Sequence, residues 1–526
     1  MAVLMLTAFF RPASLRMAAA LVAASLVASC ETHTPVGPAT NGAAAASNDV
    51  ALERVILQAY RAIGDRHLYD PDFRKLAPET YRGFAASDPA MSLRTGNQSY
   101  TIVRDGKEVL SRPIPESSDD GRAWGGLMAE LMAASLEASP TLKRTNRQTL
   151  IKGALTATTK LLDRNTRYAD PDEARENRFQ RDGGGGVGIT VERTDDKRVL
   201  IRNVQDNAPA SRAGLRVGDQ IVAIDNLRVG ERGLAEVVAQ LRGPVGAPVV
   251  ITVQRTGDAR ELPFEVKRGR IVPTTVLYER QGDVARIRLI GFNSATTDTL
   301  RATIDKARAE IPNMSGMILD MRGNRGGLLD QALSVSEVFI ADGPVFSTAG
   351  RHPDSRRNYR SAGNGKTAPT PMVVLINGHS ASAAEIVAAA LQDRGRAVLV
   401  GTTSYGKGTV QTVVRLANEA ELIMTWSRLQ APSGYTWNEL GVLPNVCSAS
   451  VGDLPNYDAD STRASLMRWH ALRNPTAEEV TALRKICPPG EGAPDRDLEI
   501  ANRLLADRQL YARAVRAGYD QAAIGR

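Results

Sequence analysis

The chain reads as a multidomain α/β (α+β) protein, on three observations. Past Ile271, apolar strand runs alternate with helix-period segments, as in a sheet covered by helices. Over residues 182–268 a glycine run is followed by short β-rich segments and one helix, the pattern of a separate small β domain. Flanking both are stretches whose apolar residues recur at helical spacing. A length of 526 residues suits several domains with buried cores, and the 43% hydrophobic and 24% charged fractions are those of a globular protein. The net charge of +8 is spread along the chain without a basic stripe interleaved with aromatics, which argues against nucleic acid as a partner.

Residues 1–30 have the features of an export signal. Arg11 and Arg16 precede an apolar, alanine-rich run over 17–28, which is too short to span a bilayer. The run ends Val27-Ala28-Ser29-Cys30, which resembles a bacterial lipoprotein box and implies cleavage before Cys30 and lipidation of its thiol. The plainer alternative is an ordinary secretory signal with an incidental cysteine. Residues 31–48, mostly Thr, Pro, Gly, Ala and Asn, read as a flexible tether with a reach of about 25 Å. If Cys30 is lipidated, only Cys447 and Cys487 remain, and an oxidising periplasm favours a disulfide between them over two free buried thiols.

Over 49–181 the pattern is mainly helical. Val50, Leu52, Val55, Ile56, Ala59, Tyr60 and Ile63 share one helical face, and helical patterns recur over 124–136 and 145–162. Asp105-Gly106 between β-rich arms predicts a hairpin over 99–109. Nothing in this region points to chemistry. In the next, GGGGVGI (183–189) runs into a strand, APASRAGLRVGDQIVAIDN (208–226) follows, then a helix over 234–241 and a strand over 249–255. That order resembles a PDZ domain. The resemblance implies that the backbone N–H groups of Val187, Gly188 and Ile189 bind a peptide's terminal carboxylate, with Val238 and Leu241 walling the side-chain pocket. A phosphate loop is excluded, since neither the lysine nor the immediate helix of the Walker pattern follows the glycines.

Over 269–450, a strand at 284–292 and a helix at 295–310 lead to GMILDMRGNRGG (316–327). A buried strand ending in Asp320, Arg322, Asn324 and paired glycines is a common site location in α/β folds. Asp320 and Arg322 read as a structural ion pair, whereas Gly326 and Gly327 let backbone N–H groups approach a ligand. The chemistry is expected at 377–411. There an apolar run meets a small-residue turn holding Ser380 and Ser382, an alanine-rich helix follows, and a second apolar run leads to the glycine-flanked Lys407. A serine at a strand-to-helix turn sits by the positive helix N-terminus, where an oxyanion is stabilised. The extension over 451–526 reads as helical, with a Thr476–Glu479 capping box and an apolar face of Leu498, Ala501, Leu504, Leu505, Tyr511, Ala512 and Val515 running to Gly518. A helical cap tied by Cys447 and Cys487, a docking helix and an oligomerisation surface all fit that pattern.

Several hydrolase mechanisms fail on the residues present. There is no G-x-S-x-G elbow and no H-E-x-x-H zinc motif. A Ser-His-Asp triad has only five histidines to draw on: His33 lies in the tether, His67 and His470 lie in helical flanks, and His352 and His379 remain. The thiols have other assignments, which leaves serine with lysine. SASAAE (380–385) followed by YGKGTVQ (405–411) resembles the carboxy-terminal processing peptidases, or tail-specific proteases. So do LLDRNTRYADPDE (161–173), ILDMRGNRGGLLD (318–330), ALQDRGRAVLVG (390–401) and APSGYTWNELGVLPNV (431–446).

The resemblance implies a ClpP/crotonase-like core and a dyad of Ser382 with Lys407 twenty-five positions on, Gln411 supporting the lysine. Ser380 is the rival nucleophile. It further implies an oxyanion hole from the N–H of Ala383 and of Gly326 or Gly327, with no metal or other cofactor. His379, Ala384 and Arg325 depart from the family's usual glycine, serine and proline. The expected function is an exported, lipid-anchored serine endopeptidase in the bacterial envelope, on its periplasmic side, guided to protein C-termini by the PDZ domain. The other reading is a non-catalytic PDZ scaffold on a degenerate peptidase fold. An adaptor or activator protein and self-association are both left open.

Overall fold

The structure is a computed structural model that describes residues 51–362, 370–452, 454–473 and 475–518. The signal expected over 1–30, Cys30 and the tether lie outside those residues. So does the start of the first helix, which is described over Leu52–Arg66.

The N-terminal region packs helices Leu52–Arg66, Phe73–Ala85, Gly121–Ala138 and Arg147–Lys160 around a common apolar core. Its hairpin pairs Ser99–Arg104 with Lys107–Pro113, and Asp105 and Gly106 take φ of 48° and 79° at the turn, the positive values that a two-residue hairpin loop requires. A strand not anticipated in the sequence, Met91–Thr95, makes this a three-stranded sheet. It escapes notice because its outer face is polar and it is only five residues long. Leu416, Ala420, Leu422 and Met424 from farther along the chain join this core, so the region is not packed independently of the rest.

The PDZ-like region is an antiparallel sheet of Glu261–Lys267, Pro248–Gln254, Gln220–Ile224, Val199–Val204 and Ile189–Arg193 in that order, with helix Leu234–Leu241 beside it. The chain enters and leaves through a two-stranded neck, Gly184–Gly186 against Gly269–Ile271.

In the core, a six-stranded sheet runs Val276–Gln281, Val284–Leu289, Gly316–Asp320, Met372–Ile376, Val398–Gly401, Val446–Cys447, parallel from the second strand onward. Its central strands read as unbroken apolar runs because both faces are covered. Met317, Leu319, Val374 and Ile376 face helices Leu329–Phe339 and Ala383–Asp393, while Ile318, Val373 and Leu375 face Ile500, Leu504 and Leu505 of the C-terminal extension. A second sheet carries Arg357–Ser361, Gly343–Ala349, Glu421–Gln430 and Thr409–Arg415. Three neighbouring parallel strands therefore end side by side in the loops holding Gly326, Ser382 and Lys407, the edge where α/β folds place ligands.

The extension departs from the sequence expectation. Its apolar face belongs to two helices, Pro494–Ala506 and Arg508–Gly518, broken at Asp507, whose carboxylate accepts from the N–H groups of Gln509 and Leu510. The break turns the second helix so that Ala514 points inward and Ala512 is exposed. Thr476 and Glu479 form the capping box. Cys447 and Cys487 are bonded, with Cα atoms 5.8 Å apart and 40 residues of separation. Closing a loop of that length contributes about 4 kcal/mol in the chain-entropy model.

Candidate active site

Ser382 is the N-cap of helix Ala383–Asp393 and has φ 57° and ψ −115°. A left-handed φ at a residue with a side chain costs about 1–3 kcal/mol and persists only where the surroundings hold it. Glu385 does the holding. It is completely buried, and each of its oxygens accepts two hydrogen bonds: Oε2 from Ser382 N at 2.7 Å and Lys407 N at 2.9 Å, Oε1 from Ser404 Oγ at 2.5 Å and Gly406 N at 2.6 Å. One carboxylate thus ties the backbone of the serine turn to that of the lysine loop. Burial pushes the Glu385 carboxyl above its ordinary range, and these four donors pull the other way.

Gly326 explains how the two turns fit together. Its φ is 93°, and a Cβ there would lie 2.9 Å from both Ala383 N and Ser382 Cβ, so a side chain would push the serine turn away. The N–H of Gly326 is already donated to Asn324 Oδ1 at 2.8 Å. Among the described residues no acceptor takes the N–H of Gly327 or that of Ala383. Asn324 is itself fixed by donating to Leu289 O at 2.6 Å.

Ser380 lies differently from Ser382. It is fully buried, donates to Met321 O at 2.8 Å and accepts from Asn377 N at 3.0 Å, so its hydroxyl is used in holding the turn. His379 is exposed, with Nε2 3.8 Å from Glu491. Asp320 and Arg322 form a buried ion pair, and Arg322 also reaches Asp497 at 2.9 Å. Burial alone would raise the Asp320 carboxyl, but the Arg322 guanidinium outweighs it and holds the group below the usual carboxylate range. Arg325 is exposed on the same loop.

Lys407 is half-buried between Gly406 and Gly408, where a Cβ at Gly408 would meet Asn438 N at 2.5 Å. The lysine loop is therefore pressed against residues 438–439. Burial lowers the Lys407 amine below its ordinary 10.5, Arg167 and Arg164 push the same way, and Glu385 and Asp163 oppose. Gln411 lies on strand Thr409–Arg415 and donates through Nε2 to Thr409 Oγ1 at 3.0 Å and Thr425 Oγ1 at 3.5 Å. Among the described residues no direct hydrogen bond joins the Ser382 hydroxyl, the Lys407 amine and the Gln411 carbonyl; the loops are coupled through Glu385.

A groove of ≈ 380 Å³ runs between strand Ile189–Arg193 and helix Leu234–Leu241, lined by Val187, Gly188, Ile189, Val238 and Leu241. Arg242, the C-cap of that helix, also lines it, as do Phe179 of helix Pro171–Asp182 and Ile271 and Pro273 at the neck, three residues from outside the segment whose pattern marks the groove in the sequence. Arg242 stacks 3.7 Å over the Phe179 ring and pairs with Glu176, tying the groove to helix Pro171–Asp182. Sequence reading missed Glu385 too, although Ser382-Ala-Ala-Glu385 has the spacing of a capping box.

A family model described as peptidase family S41 matches residues 283–448, and one for the PDZ domain matches residues 200–255. The carboxy-terminal-processing protease of Bartonella bacilliformis is 37% identical over 302 residues, which are 57% of this chain and 69% of that protein. A carboxyl-terminal-processing protease of Picosynechococcus is 31% identical over 53% of this chain and 68% of its own length. Among solved structures, a photosystem II D1 C-terminal processing protease aligns with 76% of this chain and 93% of its own, at 23% identity and a TM-score of 0.38. With 69% of a carboxy-terminal-processing protease matched at 37% identity, the chain belongs to that group of serine-type peptidases, within peptidase family S41, and carries its PDZ domain.

Proposed function

We propose that this protease is an exported, lipid-anchored endopeptidase of the bacterial envelope that cleaves envelope proteins with a Ser382–Lys407 dyad. The observation that carries the dyad is the Glu385 carboxylate, which binds the backbone N–H of both residues beside a lysine whose amine is lowered by burial. A neutral amine has the lone pair a general base needs. Ser382 Oγ attacks the scissile carbonyl carbon as its proton passes to Lys407 Nζ. The oxyanion is held by the unclaimed N–H groups of Ala383 and Gly327, each worth about 10²–10³ in rate. Gly326 serves by lacking a side chain. As the carbon–nitrogen bond breaks, the ammonium of Lys407 returns the proton to the leaving amine. Water then attacks the acyl-enzyme with the same lysine as base, freeing Ser382.

The groove at Val187, Gly188 and Ile189 receives a protein's C-terminal carboxylate, its last side chain resting against Val238 and Leu241. The sequence over 1–30 supports export and an anchor at Cys30. The test is incubation of the purified protein with an unfolded protein substrate, comparing wild type, Ser382→Ala and Lys407→Ala, with and without EDTA. Cleavage by wild type alone, insensitive to EDTA, is expected. Equal cleavage by all three would remove the dyad, and EDTA loss restored by zinc would replace it with metal chemistry.

A further inference from the structure

A chain of polar groups runs from the N-terminal helices to Gln411. His67, at the end of helix Leu52–Arg66 and 1% exposed, donates through Nε2 to Asp163 Oδ2 at 2.9 Å. The other oxygen of Asp163 accepts from Asn165 N at 2.8 Å, Thr166 N at 3.1 Å and Thr425 Oγ1 at 2.9 Å, and Thr166 Oγ1 adds a bond to Oδ2 at 2.5 Å. With five donors around it, Asp163 acts only as an acceptor; burial would raise its carboxyl, and these bonds outweigh burial and hold it well below the usual range. Leu68 N donates to Thr425 O at 2.9 Å, so the same junction docks the N-terminal region on strand Glu421–Gln430.

A threonine hydroxyl has one proton, and that of Thr425, 1% exposed, is committed to Asp163. The side of the oxygen facing Gln411 is therefore a lone pair, which Nε2 can approach and Oε1 cannot. Thr409 Oγ1 accepts from Gln411 and also from Asn165 Nδ2 at 3.3 Å, and because its own proton suits either orientation of the amide, Thr425 is the group that decides between them. Gln411 Oε1 is thereby left to point away from the threonines. With Gln411 as the partner of the lysine, a flipped amide would offer Nε2 in place of the carbonyl, a donor that competes for the lone pair that must take the serine proton.

We propose that Asp163, held by His67 and acting through Thr425, is a positioning residue that presents the carbonyl of Gln411, and not its amide nitrogen, to Lys407. The inference rests on Lys407 being the base and Gln411 its partner. It gives the N-terminal helical region a part in the reaction.

The test is steady-state kinetics of the full chain on a peptide substrate for wild type, Thr425→Val, Thr425→Ser, Gln411→Ala and the double variant Thr425→Val/Gln411→Ala. Thr425→Val is expected to lower kcat about tenfold with KM within about twofold. Thr425→Ser, which keeps the hydroxyl, is expected to stay near wild type, and adding Thr425→Val to Gln411→Ala should cost nothing further. An equal loss in both backgrounds, a Thr425→Ser as poor as Thr425→Val, or an unaffected Thr425→Val each overturns the proposal. Should Thr425→Val fail to fold, His67→Leu probes the same chain from its far end, with the same loss of effect expected on Gln411→Ala. A Gln411→Ala with unchanged kcat removes Gln411's role and this inference with it, while the dyad still stands or falls with Ser382→Ala and Lys407→Ala.

Discussion

The N-terminal helical region and the C-terminal extension both lie outside residues 283–448, the stretch matched by the peptidase family model, and both are built mainly of helices. They support opposite sides of the site by different means. The N-terminal region reaches the lysine side through neutral and single-charge hydrogen bonds, from His67 and Asp163 to Thr425. The extension reaches the serine side with stronger ties. Gly490 O accepts from Gly378 N at 2.8 Å, Asp497 pairs with Arg322, and Cys487 is bonded to Cys447. Asn377 collects these contacts, accepting from Gly323 N and His379 N while donating to Glu491 O. The proposed nucleophile and the proposed base are thus held from two ends of the chain, and meet at Glu385. Breaking a buried ion pair leaves an uncompensated charge, whereas losing one of several hydrogen bonds to a single carboxylate has a graded effect.

The largest effect is expected where the two sides meet. Glu385→Gln turns an NH₂ toward two of four donors and displaces both turns, so kcat should fall at least about 100-fold with the circular dichroism spectrum unchanged. On the serine side, Asp497→Ala removes one of the two carboxylates that Arg322 pairs with and should destabilise the protein by about 2 kcal/mol in urea unfolding. A Cys447→Ser/Cys487→Ser variant should lose about 2–4 kcal/mol by the same assay. The smallest effect has the opposite sign. Burial lowers the Lys407 amine below 10.5, so near neutral pH folding carries a cost for it that an uncharged side chain does not. Lys407→Met should therefore raise stability by about 1 kcal/mol near pH 7 while abolishing cleavage, and the gain should vanish as pH rises past the ordinary lysine value. A Lys407→Met variant that unfolds more readily at pH 7 would show that the amine supports the fold.

Much of the site could be read from the sequence because its parts are local. Two apolar runs bracket the turn with Ser382, and Lys407 follows between glycines, so strand, turn and helix were visible in one window. The PDZ-like groove was readable for the same reason, its loop and helix lying within one short region. Glu385 was hidden among alanines, and only the fold shows that its carboxylate also reaches Gly406 and Lys407. Thr425 and Asp163 lie 262 residues apart, a contact that no local pattern reports. The break at Asp507 was missed because apolar periodicity continues across it in register. The strand Met91–Thr95 was missed because only Met91 in it is fully buried.

The most direct test of the proposed dyad is the pH dependence of acylation at Ser382, followed by mass spectrometry of protein treated with a serine-reactive fluorophosphonate. The predicted result is label on Ser382 alone, at a rate that rises with pH through an apparent pKa below the 10.5 of an ordinary lysine and is lost in Lys407→Ala. Label on Ser380 or elsewhere, or a rate at Ser382 that is the same with and without Lys407, would contradict it.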